Sequence, residues 1–268
     1  MAGSTHFSGA PAALVIKFGG TSLGTPARMR LAARRVEAHV RAGRPVVVVA
    51  SAMGHGTDRV VRWTEAVCGA PRGTAWAREA DRALCTGEAL SASLLAAALC
   101  ARGVEAVGLG GGEAGVCVEG PFGAGRIREV RPGRLRALLA RGIVPVVAGF
   151  QGLRDDGETV ALERGGSDIS AVAVAAALGC VPCHIVTDVD AVYTHDPRTD
   201  PSARRFHELT HGELLTLAEA GAHVVHASAA RLAHACNVPL RVYGYRAPPG
   251  RTGGTRIRTP ALVAEQPA

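Results

Sequence analysis

Short apolar runs alternate with longer helical patterns along most of the chain, and this alternation constrains the fold more than any other feature. Leu14–Phe18 and residues 45–50, 143–148 and 184–188 are apolar runs of strand length, separated by stretches with helical periodicity. Continuous apolar runs are typical of strands buried on both faces of a parallel sheet. Parallel neighbours need long crossover connections, which are usually helices. The sequence therefore predicts an α/β fold with a mostly parallel central sheet and helices on both of its faces.

The other predicted elements fit the same scheme, apart from two hairpins. Helices are expected at residues 26–42, 89–101, 132–141, 167–178, 211–220 and 228–236, and further strands at 104–109 and 240–243. Residues 115–130 alternate in polarity around a Pro/Gly turn, and Asp155-Asp156-Gly157 is a second turn signal. We expect the two hairpins to form a small peripheral lobe beside the main sheet.

Charge and composition indicate which partners the chain does not have. The formal net charge is +7, but the arginines are dispersed, aromatic residues are scarce, and no nucleic-acid-binding signature is present. Residues 169–186 are long enough to span a bilayer, yet Gly179, Pro182 and His184 interrupt them. A buried helix, a turn and a buried strand explain this segment better. We expect neither a nucleic-acid partner nor a membrane span.

The chain ends and the cysteines indicate a cytoplasmic protein. Residues 1–12 lack both a basic start and a long apolar stretch, so a flexible tail is favoured over a secretion signal. Residues 259–268 are expected to form a second tail. Seven cysteines, an odd number in apolar contexts, are typical of reduced thiols. Cys180-Val181-Pro182-Cys183 is a CxxC motif without a second pair, which favours two core residues over a zinc or redox site.

Lys17-Phe18-Gly19-Gly20-Thr21-Ser22 is the first of four segments that place small or polar residues where a strand ends or a helix begins. Of the 30 Lys and Arg residues, Lys17 is the only lysine. Paired glycines allow backbone N–H groups to approach phosphate oxygens, and the hydroxyl groups add donors. No lysine follows the glycines, so this is not a Walker A loop. An ordinary glycine turn explains the segment equally well when it is taken alone.

The other three segments occupy equivalent positions. Residues 51–58 (SAMGHGTD) and 187–198 (TDVDAVYTHDPR) follow predicted strands, and Arg164-Gly165-Gly166-Ser167-Asp168 opens a helix. Arg164 can form a bidentate pair with a carboxylate, whereas Ser167 and Asp168 are expected to cap the helix. In an open α/β sheet, the carboxyl ends of the strands line the ligand crevice. A polar turn stays open as the alternative for residues 187–198.

Two competing motifs are weaker. Gly110-Gly111-Gly112-Glu113-Ala114-Gly115 satisfies GxGxxG, but a predicted hairpin follows it instead of the helix that a dinucleotide site requires. His223 and His226 lie three residues apart without a nearby thiol or carboxylate. We therefore expect both histidines in a nucleotide pocket or in the core, and not at a zinc ion.

Taken in order, these segments resemble the aspartokinase branch of the amino-acid kinase family over residues 13–258. The matching motifs are KFGGTS, SAMG-x-x-TD, TGE, AGFQG, RGGSD, TDVD-x-VYT-x-DPR and NVPLRV. Seven short matches in the same order are specific, whereas any single one is not. The resemblance implies a three-layer αβα sandwich, a kinase domain at residues 13–258, ATP and Mg²⁺, and a homodimer. It also implies phosphorylation of the β-carboxylate of L-aspartate to 4-phospho-L-aspartate.

The resemblance assigns a role to each matching residue. Lys17, Asp168 and His223 would act on the transferring phosphoryl group, with Asp168 orienting the lysine. The nucleotide would be held by Gly19, Gly20, Ser22, Thr187, Asp188, Tyr193 and Arg198. The amino-acid substrate would be held by Ser51, Thr57, Glu88, Phe150, Arg164 and Ser167. Within that set, Glu88 would receive the α-ammonium group and Arg164 the α-carboxylate. No side chain is assigned as a metal ligand.

Three departures from the family pattern bear on activity. Ala89 stands where an arginine usually follows TGE, and Glu163 where a glycine usually precedes RGGSD. His223 replaces a second phosphate-facing lysine in a GAKVLH-like stretch. Loss of a fixed cation there could lower the rate about 10–10³-fold. Two alternatives therefore stay open: a kinase of another small amino-acid carboxylate, and a nucleotide-binding homologue with weak or no catalysis.

The resemblance also bears on regulation. Many aspartokinases carry C-terminal ACT domains, and this chain stops soon after its last predicted strand. We therefore expect no inhibition by lysine or threonine acting within this chain, although a partner chain could still regulate it.

Overall fold

The structure, a computed structural model, describes residues 12–69, 73–197, 199–221, 224–247 and 253–259. The predictions for Arg198, His223 and most of both tails fall outside these ranges. The strands are β1 (Leu14–Phe18), β2 (Val46–Ala50), β3 (Ala106–Leu109), β4 (Val116–Glu119), β5 (Arg126–Val130), β6 (Val144–Ala148), β7 (Gln151–Leu153), β8 (Thr159–Ala161), β9 (Cys183–Thr187), β10 (Glu208–Thr210), β11 (Leu240–Gly244) and β12 (Thr255–Arg258). The helices are α1 (Gly20–Leu23), α2 (Pro26–Arg41), α3 (Gly56–Cys68), α4 (Gly73–Cys100), α5 (Gly133–Ala140), α6 (Gly166–Ala177), α7 (His211–Glu219) and α8 (Ala227–Cys236).

The central sheet is mostly parallel, as the alternation predicted. Within the described residues it has eight strands in the order β10-β12-β11-β9-β1-β2-β6-β3. β1 lies in the interior of the sheet, with Val15 opposite Val47 of β2 and Cys183 of β9, both in parallel register. All five residues of β1 are buried, which suits a strand covered on both faces. The antiparallel pair in this sheet is β11 with β12.

Helices cover both faces of this sheet and give the predicted three-layer sandwich. Val15 and Ile185 pack with α6 and α8 on one face, whereas Leu14 and Ile16 pack with α2 and α4 on the other. The alternation of side chains along a strand sends successive residues of β1 into opposite layers. Local signals agree: Thr25 caps α2 by accepting a hydrogen bond from the Arg28 N–H at 3.2 Å.

The two predicted hairpins form a separate small sheet. In the described part of the chain its strand order is β5-β4-β7-β8, with β4–β5 and β7–β8 antiparallel. A single parallel register pair, Cys117 with Leu153, joins the two hairpins. Residues 110–115, the GxGxxG stretch, form a turn that leads into β4. The prediction that no helix follows this turn is confirmed.

The structure corrects the sequence analysis at α3, α4 and two short strands, β10 and β12. The helix expected at residues 89–101 begins sixteen residues earlier, at Gly73, and α3, β10 and β12 were not predicted. α3 was missed by the sequence analysis, and none of its residues is fully buried within the described chain. Residues 169–186 do divide into a helix, a turn and a strand, as predicted. α4 is long and apolar enough to cross a membrane, but Leu95 and Leu99 are buried in the core, as in core helices of soluble proteins.

Candidate functional site

The candidate site lies where four neighbouring parallel strands, β9, β1, β2 and β6, reach their carboxyl ends. Backbone hydrogen bonds continue the sheet just beyond these strands. The Gly19 N–H donates to the Val186 carbonyl at 2.9 Å, and the Ser51 N–H donates to the Phe18 carbonyl at 3.1 Å. The Gly149 N–H in turn donates to the Ala50 carbonyl at 3.0 Å. The segments predicted to bind ligands are therefore adjacent in space, at the edge where α/β folds bind ligands.

Lys17 and Asp168 form a charge pair at the centre of this edge. Lys17 Nζ lies 2.7 Å from Asp168 Oδ1, and the two side chains are only 11% and 12% exposed. The His226 backbone N–H also lies 3.4 Å from Asp168 Oδ2. Removing one member of a buried pair typically costs about 3–5 kcal/mol, because the other charge stays buried without its partner. The arrangement fixes the single lysine ammonium at the end of β1.

The predicted capping role of Ser167 and Asp168 is wrong. Gly165 is the N-cap of α6, and none of the described side chains caps it. Asp168 is the third residue of the helix, and it turns towards Lys17 instead. Gly165 has a φ of 78°, and a Cβ built there would lie 2.1 Å from His226 Cγ. This segment needs glycine because the backbone is left-handed and because the imidazole packs directly on it.

The glycine pair after β1 is closely packed against the loop that follows β2. A Cβ on Gly20 would lie 2.8 Å from both the Ala52 and the Gly54 carbonyl oxygens. The Gly54 N–H donates to the Gly20 carbonyl at 2.8 Å, which closes this contact. A Cβ on Gly19 would lie 3.6 Å from Lys17 Nζ, so the pair borders the ammonium group.

Two residues that were predicted to bind the nucleotide in this segment make hydrogen bonds to β9 in the structure. The Ser22 hydroxyl is buried and donates to the Val186 carbonyl at 3.1 Å, so it joins α1 to β9. The Gly19 N–H also donates to Val186. Gly20, the third predicted contact, makes no such bond to Val186 in the described structure. Sequence spacing could not show that Val186 takes the other two donors, because β9 is far away in the chain.

Glu88 is a buried carboxylate next to the loop after β2. It is 3% exposed, and its Oε1 accepts a hydrogen bond from the Ala52 N–H at 3.2 Å. Its Oε2 is buried and has no hydrogen-bond partner among the described residues. Burial raises the pKa of Glu88 to about 7. A buried carboxylate oxygen without a partner is suited to a cationic ligand group. Ser51 and Thr57 are half-buried in the same loop and the first turn of α3.

The residues after β6 and before α6 meet on the other side of the edge. Phe150 has a φ of 65° and its N–H donates to Ser170 Oγ at 3.2 Å. A Cβ on Gly166 would lie 2.8 Å from the Phe150 ring, so the ring packs on the start of α6. A Cβ on Gly149 would lie 2.9 Å from Ser167 Oγ, which places Ser167 at the end of β6. Arg164 is exposed.

A cavity of about 500 Å³ lies beyond β9. It is lined by Thr187, Asp188 and Tyr193, and by residues at the end of α7. The Tyr193 hydroxyl donates to Asp190 Oδ1 at 2.9 Å, and burial with this bond raises the pKa of Tyr193. The volume is typical of small-molecule sites. Three of the four residues predicted to hold the nucleotide in segment 187–198 thus line one cavity, and Arg198 follows the lining residue Pro197 in the chain.

The chemistry of the described residues fits a magnesium ion that is carried by a nucleotide. Among these residues no group of three or more His, Cys, Asp or Glu side chains is arranged to hold a metal ion. Mg²⁺ keeps several waters and is commonly bound through substrate phosphates with one or two carboxylates. Asp168, paired with Lys17, and Asp188, directly after β9, are carboxylates at this edge. Of the CxxC motif, Cys183 is buried in the core and burial raises its thiol pKa, whereas Cys180 is exposed, so the prediction of two core residues is wrong for Cys180.

The sequence and the fold identify the family. Residues 12–244 match the profile of the amino acid kinase family, and the chain belongs to that family. An aspartokinase of Geobacillus stearothermophilus is 44% identical over 229 residues, which are 85% of this chain and 55% of the relative. The chain therefore spans about half the length of the curated relatives it matches. The predicted resemblance to the family and to aspartokinases is confirmed.

Solved aspartate kinases have the same fold. The aspartate kinase of Synechocystis superposes with a TM-score of 0.78 at 41% identity, over 93% of this chain and 40% of that one. Aspartokinase III of E. coli, in complex with aspartate and ADP, superposes with a TM-score of 0.80 at 26% identity. This second match covers 92% of this chain and 64% of the E. coli protein. The predicted αβα architecture is confirmed.

Proposed function

We propose that this chain transfers the γ-phosphoryl group of ATP to the β-carboxylate of L-aspartate and so forms 4-phospho-L-aspartate. The observation that carries the proposal is the buried Lys17–Asp168 pair at 2.7 Å. It lies on β1, between the nucleotide-sized cavity after β9 and the buried Glu88 beside the loop after β2. The similar E. coli aspartokinase III was solved in complex with aspartate and ADP, which supports these two ligand classes for this chain.

The transfer needs alignment and positive charge more than covalent chemistry. A carboxylate oxygen attacks the γ-phosphorus and ADP leaves, so no covalent enzyme intermediate is required. Lys17 stabilises the negative charge that spreads over the transferring group, and Asp168 holds the ammonium in place. Gly20 lines the phosphate path, and His223 would replace the second phosphate-facing lysine of the family, as the sequence resemblance implies. Magnesium bound to the nucleotide neutralises phosphate charge in reactions of this class.

On the amino-acid side of the site, two side chains of opposite charge bind the two charged α-substituents of the substrate. Glu88 receives the α-ammonium group on its unpartnered Oε2, which compensates a buried charge that is otherwise costly. Arg164 binds the α-carboxylate, with Phe150 as an apolar wall and Ser167 beside it. Ser51 and Thr57 hold the reacting β-carboxylate. On the other side, Thr187, Asp188, Tyr193 and Arg198 hold the nucleotide.

Hydroxylamine trapping tests the proposal directly. The protein is incubated with Mg·ATP, hydroxylamine and a panel of amino acids and small carboxylic acids, and hydroxamate is measured. Hydroxamate from L-aspartate is expected. Hydroxamate from a different acid would show a related carboxylate kinase, as Ala89 and Glu163 allow. Tight ATP binding without hydroxamate from any acid would show a homologue without useful catalysis, as His223 allows.

We also place the kinase domain at residues 13–258 and propose a cytoplasmic homodimer, as expected from the resemblance. Sedimentation of the purified protein measures the oligomeric state. A monomer at micromolar concentration would contradict the dimer without affecting the catalytic proposal.

A further inference from the structure

Asp81 is a second buried carboxylate on α4, and it lies outside the predicted site. It is 2% exposed. Its Oδ2 accepts two backbone hydrogen bonds, from the Gly123 N–H at 2.9 Å and from the Ala161 N–H at 2.8 Å. Gly123 lies in the connection between β4 and β5, and Ala161 ends β8. One oxygen atom of α4 thus holds both hairpins of the small sheet.

Burying a carboxylate costs free energy, because the charged group loses its hydration. Burial raises the pKa of Asp81, whereas the two N–H donors and the nearby Arg154 oppose that rise. Burying a carboxylate is tolerated when hydrogen bonds replace its hydration. Here the same two bonds also satisfy two backbone donors that would otherwise be left without an acceptor. Position 81 therefore requires a side chain with an acceptor oxygen that reaches both N–H groups, which a hydrophobic side chain lacks.

Asp81 shares one face of α4 with the proposed substrate ligand. Asp81, Cys85 and Glu88 follow helical spacing, and all three are buried. The Cys85 carbonyl accepts a hydrogen bond from Gln151 Nε2 at 2.9 Å, which ties β7 to the next turn of the helix. Glu88 stands on the turn after that. Two successive turns of α4 therefore hold the small sheet immediately before the turn that carries Glu88.

The same sheet carries the other proposed ligands of the amino acid. Phe150 directly precedes β7, and Arg164 follows β8 by three residues. The Leu162 N–H donates to the Phe150 carbonyl at 2.8 Å, so these two flanking segments are joined to each other. Any shift of the small sheet relative to α4 would move Phe150 and Arg164 relative to Glu88.

We infer that Asp81 is a positioning residue for the amino-acid site: it holds the small sheet against α4 so that Arg164 and Phe150 act on the same substrate molecule as Glu88. The inference rests on the proposed function, which assigns those three residues to the amino acid. Asp81 does not touch the substrate. Its effect reaches the site through the backbone of β8 and of the β4–β5 connection.

Kinetics of Asp81→Ala and Asp81→Asn test this inference. Alanine removes the acceptor, so the KM for aspartate should rise at least about tenfold. The KM for ATP should stay within about twofold, because the nucleotide cavity is built from β9, the segment after it and α7. Asparagine keeps an oxygen that can accept both N–H groups, so Asp81→Asn should restore a KM for aspartate close to that of the wild type.

Leu99→Ala is the matched control for a general loss of stability. Leu99 is fully buried near the other end of α4, so its truncation destabilises the same helix without touching the small sheet. It should lower the melting temperature while leaving the KM for aspartate unchanged. If Asp81→Ala does not fold, Asp81→Glu displaces the acceptor by one methylene group and allows the same comparison.

Three results would overturn the inference: an unchanged KM for aspartate in Asp81→Ala, equal rises in both KM values, or an Asp81→Asn variant as impaired as Asp81→Ala. Glu88→Gln in the same assay separates this failure from failure of the proposed function. If Glu88→Gln raises the KM for aspartate and Asp81→Ala does not, the function stands and the positioning role falls. If the wild type gives no hydroxamate from any acid, both fall.

Discussion

Lys17 and Asp168 illustrate what a local sequence pattern shows about a site residue and what it does not. The glycines after Lys17 and the end of an apolar run indicated a ligand-binding edge. The partner of the lysine was hidden, because Asp168 lies 151 positions later and its place in a helix start suggested capping. Its contact with Lys17 at 2.7 Å depends on α6 packing over β1, which is a tertiary event. The family resemblance supplied this pairing, whereas local spacing did not.

Glu88 should make the binding of aspartate depend on pH near neutrality. Its pKa of about 7 in the free protein means that a proton competes with the substrate ammonium below pH 7. The KM for aspartate should rise up to about tenfold for each pH unit below 7, and level off above it. Measured between pH 6 and 8.5, the KM for ATP serves as the internal control.

Glu88→Gln completes this test. The amide cannot ionise, so the variant should show a KM for aspartate at least about tenfold higher above pH 7, with little remaining dependence on pH. A wild-type KM for aspartate that is constant from pH 6 to 8 would contradict the role given to Glu88.

At the scale of elements, strands with strong apolar runs were predictable, whereas elements defined by a partner were not. β1, β2, β6 and β9 were evident because central strands are apolar on both faces. α4 was recognised only in its C-terminal half, since the N-terminal half buries single residues such as Asp81 against the small sheet. β12 is short and half polar, and it exists because β11 and β10 offer it hydrogen bonds.

The close approach of α1 to the loop after β2 predicts a strong effect of Gly20→Ala. The added methyl group would meet two backbone carbonyl oxygens at 2.8 Å, and neither can move without shifting its loop. We expect a loss of about 1–3 kcal/mol in the free energy of unfolding. The KM for ATP should rise as well, because Gly20 borders the proposed phosphate path.

Gly133→Ala is the control for this substitution. Gly133 begins α5, and a Cβ there has no atom within 4 Å among the described neighbours. This change should be neutral or slightly stabilising, as alanine favours helices over glycine. Thermal denaturation of both variants checks the comparison; equal melting temperatures for Gly20→Ala and the wild type would show that the contact can relax.

At the scale of the whole molecule, the sandwich buries a histidine that should make stability depend on pH. His184 of β9 packs against Tyr243, with Nδ1 3.2 Å from the hydroxyl oxygen, and burial lowers the pKa of His184 to about 3. The unfolded chain binds a proton at this histidine below pH 6.5, and the folded chain does not. Stability contributed by His184 is therefore present above pH 6.5 and is lost as pH falls.

Comparison with His184→Asn isolates this effect. Glu88 acts with the opposite sign between pH 7 and 4.5, because its folded-state pKa is raised, but it is common to both proteins and cancels. Relative to the variant, the wild type should lose about 2 kcal/mol of unfolding free energy between pH 8 and pH 5. His207→Asn, at an exposed site, is the control: the difference in unfolding free energy between this variant and the wild type should be the same at pH 8 and pH 5. A wild-type-to-variant difference that is constant over this range would contradict the assignment.

The whole-molecule topology was the most predictable level, and the site geometry the least. Alternating apolar runs determine the layers because each strand must be covered on both faces, which holds whatever the loops do. The site depends on loops after four strands and on close contacts such as that between Gly165 and His226. Such contacts leave no periodic signal, so the cap of α6 was assigned wrongly from sequence.

Phosphoryl transfer to aspartate depends on Lys17 in the proposed mechanism, and ³¹P NMR of the wild type and Lys17→Met measures this dependence most directly. With Mg·ATP and aspartate, the wild type should form an acyl phosphate together with ADP. Lys17→Met should be at least about 10²-fold slower, with ATP binding and circular dichroism retained. Lys17→Met/Asp168→Asn removes the uncompensated buried charge and should recover stability without recovering rate. Transfer by Lys17→Met at the wild-type rate would contradict the account.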